Sequence, residues 1–68
     1  MKSLSGKKLC KILEQNGWLL LRINGSHHIF GRPGSIVRLS VPVHGKQALK
    51  SGLFRHLLKQ AGLDEKDI

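Results

Sequence analysis

His27 and His28 stand side by side directly after Asn24-Gly25-Ser26, at the head of a run that reads as a β-strand over residues 27–31. Imidazole is the one side chain that both takes and gives a proton near neutral pH without special tuning. The body around the pair is basic. Eleven of the twelve Lys and Arg residues lie in residues 1–63, leaving only Lys66 in the tail, against a single acid, Glu14; Asp64, Glu65 and Asp67 follow. A histidine at a strand start in such surroundings points to a small protein that grips a polyanion and can cut it. Adjacent residues of a strand face opposite sides. Alternation groups His28 with Phe30 and His27 with Ile29, which leaves open which of the two faces a substrate.

The missing residues narrow the chemistry further. A lone carboxylate before the tail excludes a two-metal nuclease centre, which needs several acid ligands, and it excludes a paired-carboxylate glycosidase site. No glycine-rich phosphate loop with its Lys-Ser/Thr is present. His27, His28, His44, His56 and Cys10 show none of the usual zinc-ligand spacings, so no metal and no cofactor is expected. A metal-free cut in nucleic acid points to RNA, whose 2′-hydroxyl is an internal nucleophile. A base need only take that proton while cations stabilise the phosphorane charge. Ser26 and Ser40 lack the acid member of a Ser-His-Asp arrangement, and Ser26 reads as a turn residue. Gly25 lets the backbone turn and lets a phosphate come close. Phosphate contacts can come from Lys7, Lys8, Lys11, Arg22, Arg32, Arg38, Lys46 and Lys50. Trp18 reads as core rather than as a platform for bases.

The elements that must hold these groups follow an α-β-β-β-α order. Ser5 can cap a helix over residues 6–16, with Leu9, Ile12 and Leu13 as its apolar stripe and Gly17 at its end. Lys7 and Lys8 fall in its first turn, where the helix dipole disfavours cations. Residues 18–23 read as a first strand, Asn24-Gly25 as a two-residue turn, and residues 27–31 as the second strand. After the turn at Gly31-Arg32-Pro33-Gly34, residues 36–43 read as a third strand, with Val37, Leu39, Val41 and Val43 inward and Arg38 outward. Pro42 marks an edge or a strand end. A polar connection over residues 44–50 leads to a second helix from Gly52 to Ala61, capped by Ser51, with Leu53, Phe54, Leu57, Leu58 and Ala61 along one stripe. The acidic tail is either frayed or a last turn capped by Asp64. Two helices then cover one face of a three-stranded antiparallel sheet and leave the other wet.

Bulk properties agree with one small domain over residues 1–68. A chain of 68 residues buries only roughly 60% of its unfolded surface. Its formal charge of +8 and pI near 10.5 favour nucleic acid, an acidic protein partner or an anionic membrane surface. A single cysteine cannot form an internal disulfide and reads as cytosolic. No apolar run approaches the ~20 residues of a membrane span, and the N-terminus lacks the apolar centre of a signal peptide.

Gly17-Trp18, Leu20-Leu21-Arg22 and Gly25-Ser26-His27-His28-Ile29-Phe30 together resemble the first half of HicA toxins. Val41-Pro42-Val43-His44-Gly45-Lys46, Leu49-Lys50-Ser51-Gly52 and Leu58-Lys59-Gln60-Ala61-Gly62-Leu63 are similar to the second half, and Ser51 stands where the family often has proline. The resemblance implies a double-stranded-RNA-binding-like α+β fold and a cytoplasmic mRNA interferase of a toxin–antitoxin pair. The toxin alone would be a monomer, and its partner a HicB-type antitoxin that covers the active surface. It further implies that His27, the first histidine after Gly-Ser, is catalytic, that Gly25 belongs to the site, and that His28 is secondary. Substrate contacts are then expected from Gly25, Ser26, His28, Lys7, Lys8 and Arg38. A rival reading is a non-catalytic RNA-binding domain of the same fold. Its lysine cluster at the start of the last helix would be thin, since Ser51-Gly52-Leu53-Phe54 is flanked only by Lys50 and Arg55. A third reading is an interaction subunit whose basic surface docks an acidic protein.

Overall fold

A computed structural model describes residues 4–68, apart from the Asp67 side chain. The chain forms α1 (Gly6–Gln15), β1 (Leu19–Asn24), β2 (His27–Gly31), β3 (Leu39–Pro42) and α2 (Ser51–Ala61), followed by a 3-10 turn at Glu65–Asp67. Both strand pairings are antiparallel and the sheet order is β1-β2-β3, so β2 is central. This is the expected α-β-β-β-α fold with an open three-stranded sheet.

Ser5 caps α1 as expected, its Oγ accepting the Lys8 amide at 3.3 Å. Leu9 and Leu13, one turn apart, are fully buried. α1 packs on β3 and β1, and α2 packs on β3. Phe54, Leu57, Leu58 and Ala61 from α2 meet Phe30, Leu39 and Val41 from the sheet, and Trp18 and Leu49 complete the core. Each large apolar side chain contributes about 1.5–3 kcal/mol by leaving water. Cys10 is half-buried at the margin of this core. Burial, aided by the Glu14 charge, pushes its thiol up to about 11, which leaves little of the reactive thiolate at neutral pH.

The tightest approach is at Gly6. A Cβ there would overlap the Pro42 carbonyl oxygen, so only glycine lets α1 start against the end of β3. The segment after β3 is also tied back. Ala48 bridges Ser5, and the Leu49 amide donates to the Leu4 carbonyl at 2.8 Å. The expected polar connection is therefore a pinned return path with Leu49 in the core.

Several boundaries differ from the sequence reading. β1 begins at Leu19, one residue later than expected, because Trp18 is a core residue in the link from α1. β3 is only Leu39–Pro42. Residues 36–38 leave the ladder because their polar groups are satisfied locally: Ser35 Oγ accepts the Val37 amide, and the Arg38 guanidinium donates to the Ser35 and Val37 carbonyls. Ile36 is consequently 96% exposed. The inward set is as expected, with Leu39 and Val41 buried and Val37 and Val43 packed on the core. Ser51 is the first residue of α2 rather than its cap; Lys50 holds that position and makes no side-chain capping bond.

Candidate functional site

The hairpin between β1 and β2 sets the site. Asn24 pairs with His27, so the loop is Gly25-Ser26 rather than the expected Asn24-Gly25. Gly25 has φ +63, and Ser26, like every other described non-glycine residue, has a negative φ. A glycine at the first central position is the pattern of a type II′ hairpin turn, whose twist matches the strands. On the far side, the Val43 amide donates to the Ser26 carbonyl at 2.7 Å. The turn is thus held by β1 and by the exit of β3, with His27 as the first residue after it.

Register decides which histidine faces where. Phe30 is buried under the helices, and His28 shares its side, opposite Val41. His27 faces the open side, between Asn24 and Pro42. Ile29, two residues on, pairs with Arg22 in β1 and Ser40 in β3. Arg22 and Ser40 are therefore the diagonal neighbours of His27 on the open face, a distance long side chains can span. The Ser40 contact is made: its Oγ lies 3.1 Å from His27 Nδ1. With Nδ1 engaged, Nε2 is the ring nitrogen free to exchange a proton. When Nδ1–H donates to Ser40, Nε2 is the basic nitrogen.

The other expected contacts are distributed more widely. Gly25 and Ser26 adjoin His27 in the turn. Arg38 does not come to His27: it lies beside Gly31, at the other end of β2, four residues and about 13 Å of strand away. Lys7 and Lys8 lie on the first turn of α1, which touches the end of β3 through Gly6 and Pro42. There they share a groove with Lys11 and Lys46. Arg22 and Ser40 were given only general roles by the sequence. Their signal is the hairpin register itself, because positions two before Asn24 and two before Pro42 must share the face of His27.

The family model for the HicA toxin of bacterial toxin–antitoxin systems matches residues 6–63. The chain belongs to the HicA toxin family. No curated protein matches it. The match to the HicA model runs from the first residue of α1 to just beyond α2, and so includes the hairpin, the core and the groove apart from Leu4 and Ser5. A HicA chain has the role of a toxin, and toxin–antitoxin pairing implies an antitoxin partner. Among the described residues of this HicA chain, no three His, Cys, Asp or Glu side chains gather as a metal site, and no helix is long and apolar enough to cross a membrane. At the end of the molecule away from His27, the Arg32 guanidinium stacks 4.4 Å above the Trp18 ring. Trp18 is thereby covered as well as buried, in keeping with a core role.

Proposed function

We propose that this chain is a metal-independent endoribonuclease acting on mRNA, with His27 as the proton-transfer residue, and that a HicB-type antitoxin silences it by covering the open face of the sheet. The observation that carries this reading is the His27–Ser40 pair. An exposed imidazole is held through Nδ1, which leaves Nε2 for proton exchange, with no acid on this face among the described residues and Arg22 on the flanking strand.

In the proposed reaction, His27 Nε2 takes the proton from a 2′-hydroxyl. The 2′-oxygen then bonds to the adjacent phosphorus, and the bond from phosphorus to the 5′-oxygen breaks. The products are a 2′,3′-cyclic phosphate and a 5′-hydroxyl, and the leaving oxygen receives a proton from the imidazolium or from water. Arg22 offsets the charge that builds on the phosphorane oxygens. His28, on the other side of the strand, takes no part in this step and acts at most at the margin of the substrate. Ser40 orients the ring; it is not the nucleophile.

The test is a time course on end-labelled single-stranded RNA in excess EDTA, with wild type beside His27→Ala. Cleavage by wild type alone, leaving cyclic phosphate ends, is the expected result. Equal cleavage by a folded His27→Ala chain would refute the assignment. Salt-sensitive binding without cleavage by either would favour the non-catalytic RNA-binding reading.

A further inference from the structure

Four lysines from two distant parts of the chain line one groove. Lys7, Lys8 and Lys11 come from α1, and Lys46 comes from the turn that follows β3; Leu4, Ser5, Gly45 and Ala48 form the floor and rim. The groove encloses about 610 Å³. No acid lines it, and the ion pair of Arg55 with Glu65 lies elsewhere. Lys7 and Lys8 also sit at the positive end of the α1 dipole, with no acidic residue in that first turn. Like charges gathered at a helix N-terminus are mutually repulsive and lower stability. An anion in the groove removes that repulsion.

We infer that this groove is a phosphate-backbone subsite, holding the stretch of the RNA strand that leaves the His27 face. The inference rests on the endoribonuclease reading for the identity of its ligand. Its continuity with His27 is structural. Pro42 pairs with His27, the first turn of α1 is seated on the Pro42 carbonyl, and Gly45-Lys46 follows three residues beyond Pro42. The groove walls are therefore built on the strand end that flanks the histidine. Compact ammonium groups on flexible stems suit successive phosphates. The groove has no flat aromatic side chain to stack a base, so it grips the strand without reading sequence.

The test measures binding of a 2′-O-methyl RNA oligonucleotide, which cannot be cleaved, to the full chain carrying His27→Ala. The affinity is followed against salt for Lys→Gln changes at positions 7, 8, 11 and 46, with Lys59→Gln on α2 as control. Each groove lysine that contacts a phosphate should lower the salt slope by about 0.7 when removed, and the control should leave it unchanged. Unchanged slopes in the four variants, or an equal fall in the control, would overturn the subsite. Groove-dependent binding of poly-glutamate with no RNA binding would overturn it in favour of an acidic protein ligand. The two proposals fail separately. Groove-dependent RNA binding by a chain whose wild type never cleaves RNA removes the enzyme and keeps the groove. Cleavage dependent on His27 with groove-independent binding does the reverse.

Discussion

The two faces of the sheet are written in the same strands, yet they serve different ends. On the covered face, Phe30, Leu39 and Val41 lie under the helices and supply stability. On the open face, one residue out of phase, His27, Arg22 and Ser40 remain in water with groups suited to proton transfer and charge. His27 and His28 have the same side chain and adjacent positions. Only the parity of the strand separates a catalytic candidate from a residue beside Val41. Side-chain identity is therefore a weaker guide to function here than register, and register is fixed by the hairpin and the buried face together.

That contrast can be tested by exchanging readouts between the faces. The largest effect is expected at His27: replacement by alanine should cut the rate about 10²–10⁴-fold, while the thermal midpoint stays near that of wild type because the side chain is exposed. Loss of the fold in this variant would show that the open face is also structural. Leu39→Ala should do the opposite. It should destabilise the chain by about 2–5 kcal/mol, read from urea unfolding, while the molecules that remain folded cleave at the wild-type rate per site.

A smaller effect is expected at Ser40. Ser40→Ala removes the hydroxyl on Nδ1, and a neutral hydrogen bond is worth about 1 kcal/mol. Cleavage should therefore fall by roughly fivefold, read as kcat with KM little changed, because the ring loses its orienting partner. Ser40→Thr, which keeps a hydroxyl at this position, should restore the rate. An unchanged kcat in Ser40→Ala would mean that the contact does not orient the histidine.

The smallest effect belongs to the covered side and appears only at high pH. The Cys10 thiol is pushed from its ordinary 9.0 to about 11 in the fold, so the unfolded chain releases that proton first. Its contribution to stability is complete below pH 9.0 and is lost as the pH rises toward about 11. Unfolding midpoints at pH 8 and pH 10 should diverge more for wild type than for Cys10→Ala. Equal divergence would place the thiol in water.

Much of this was legible in the sequence because it is periodic. The stripe of α1, that of α2 apart from Leu53, which is exposed, the Ser5 cap and the inward set of β3 follow from spacing. The strand ends did not, because local side-chain bonds compete with the ladder: Ser35 and Arg38 satisfy the backbone where Ile36 and Val37 suggested more strand. The choice of histidine was not legible from alternation, since both phases of residues 27–31 carry one apolar and one polar group. It followed only from the resemblance, and the burial of Phe30 now gives the facing a physical basis. The Ser40 contact and the lysine groove depend on pairings between residues distant in sequence, which no local pattern encodes.

The sheet also carries an irregularity in β1, where Leu20 pairs with Phe30 but Arg22 already pairs with Ile29, so Leu21 is an extra residue without a partner. Such a bulge places two residues of one strand opposite one of its partner and bends the strand there. Beyond it, Arg22 and Asn24 fall on the same face as His27. The bulge also sets parity: without it, Leu21 would pair with Ile29 and Arg22 would stand opposite His28 on the covered face. One unpaired leucine thus decides that the arginine and the histidine share a side.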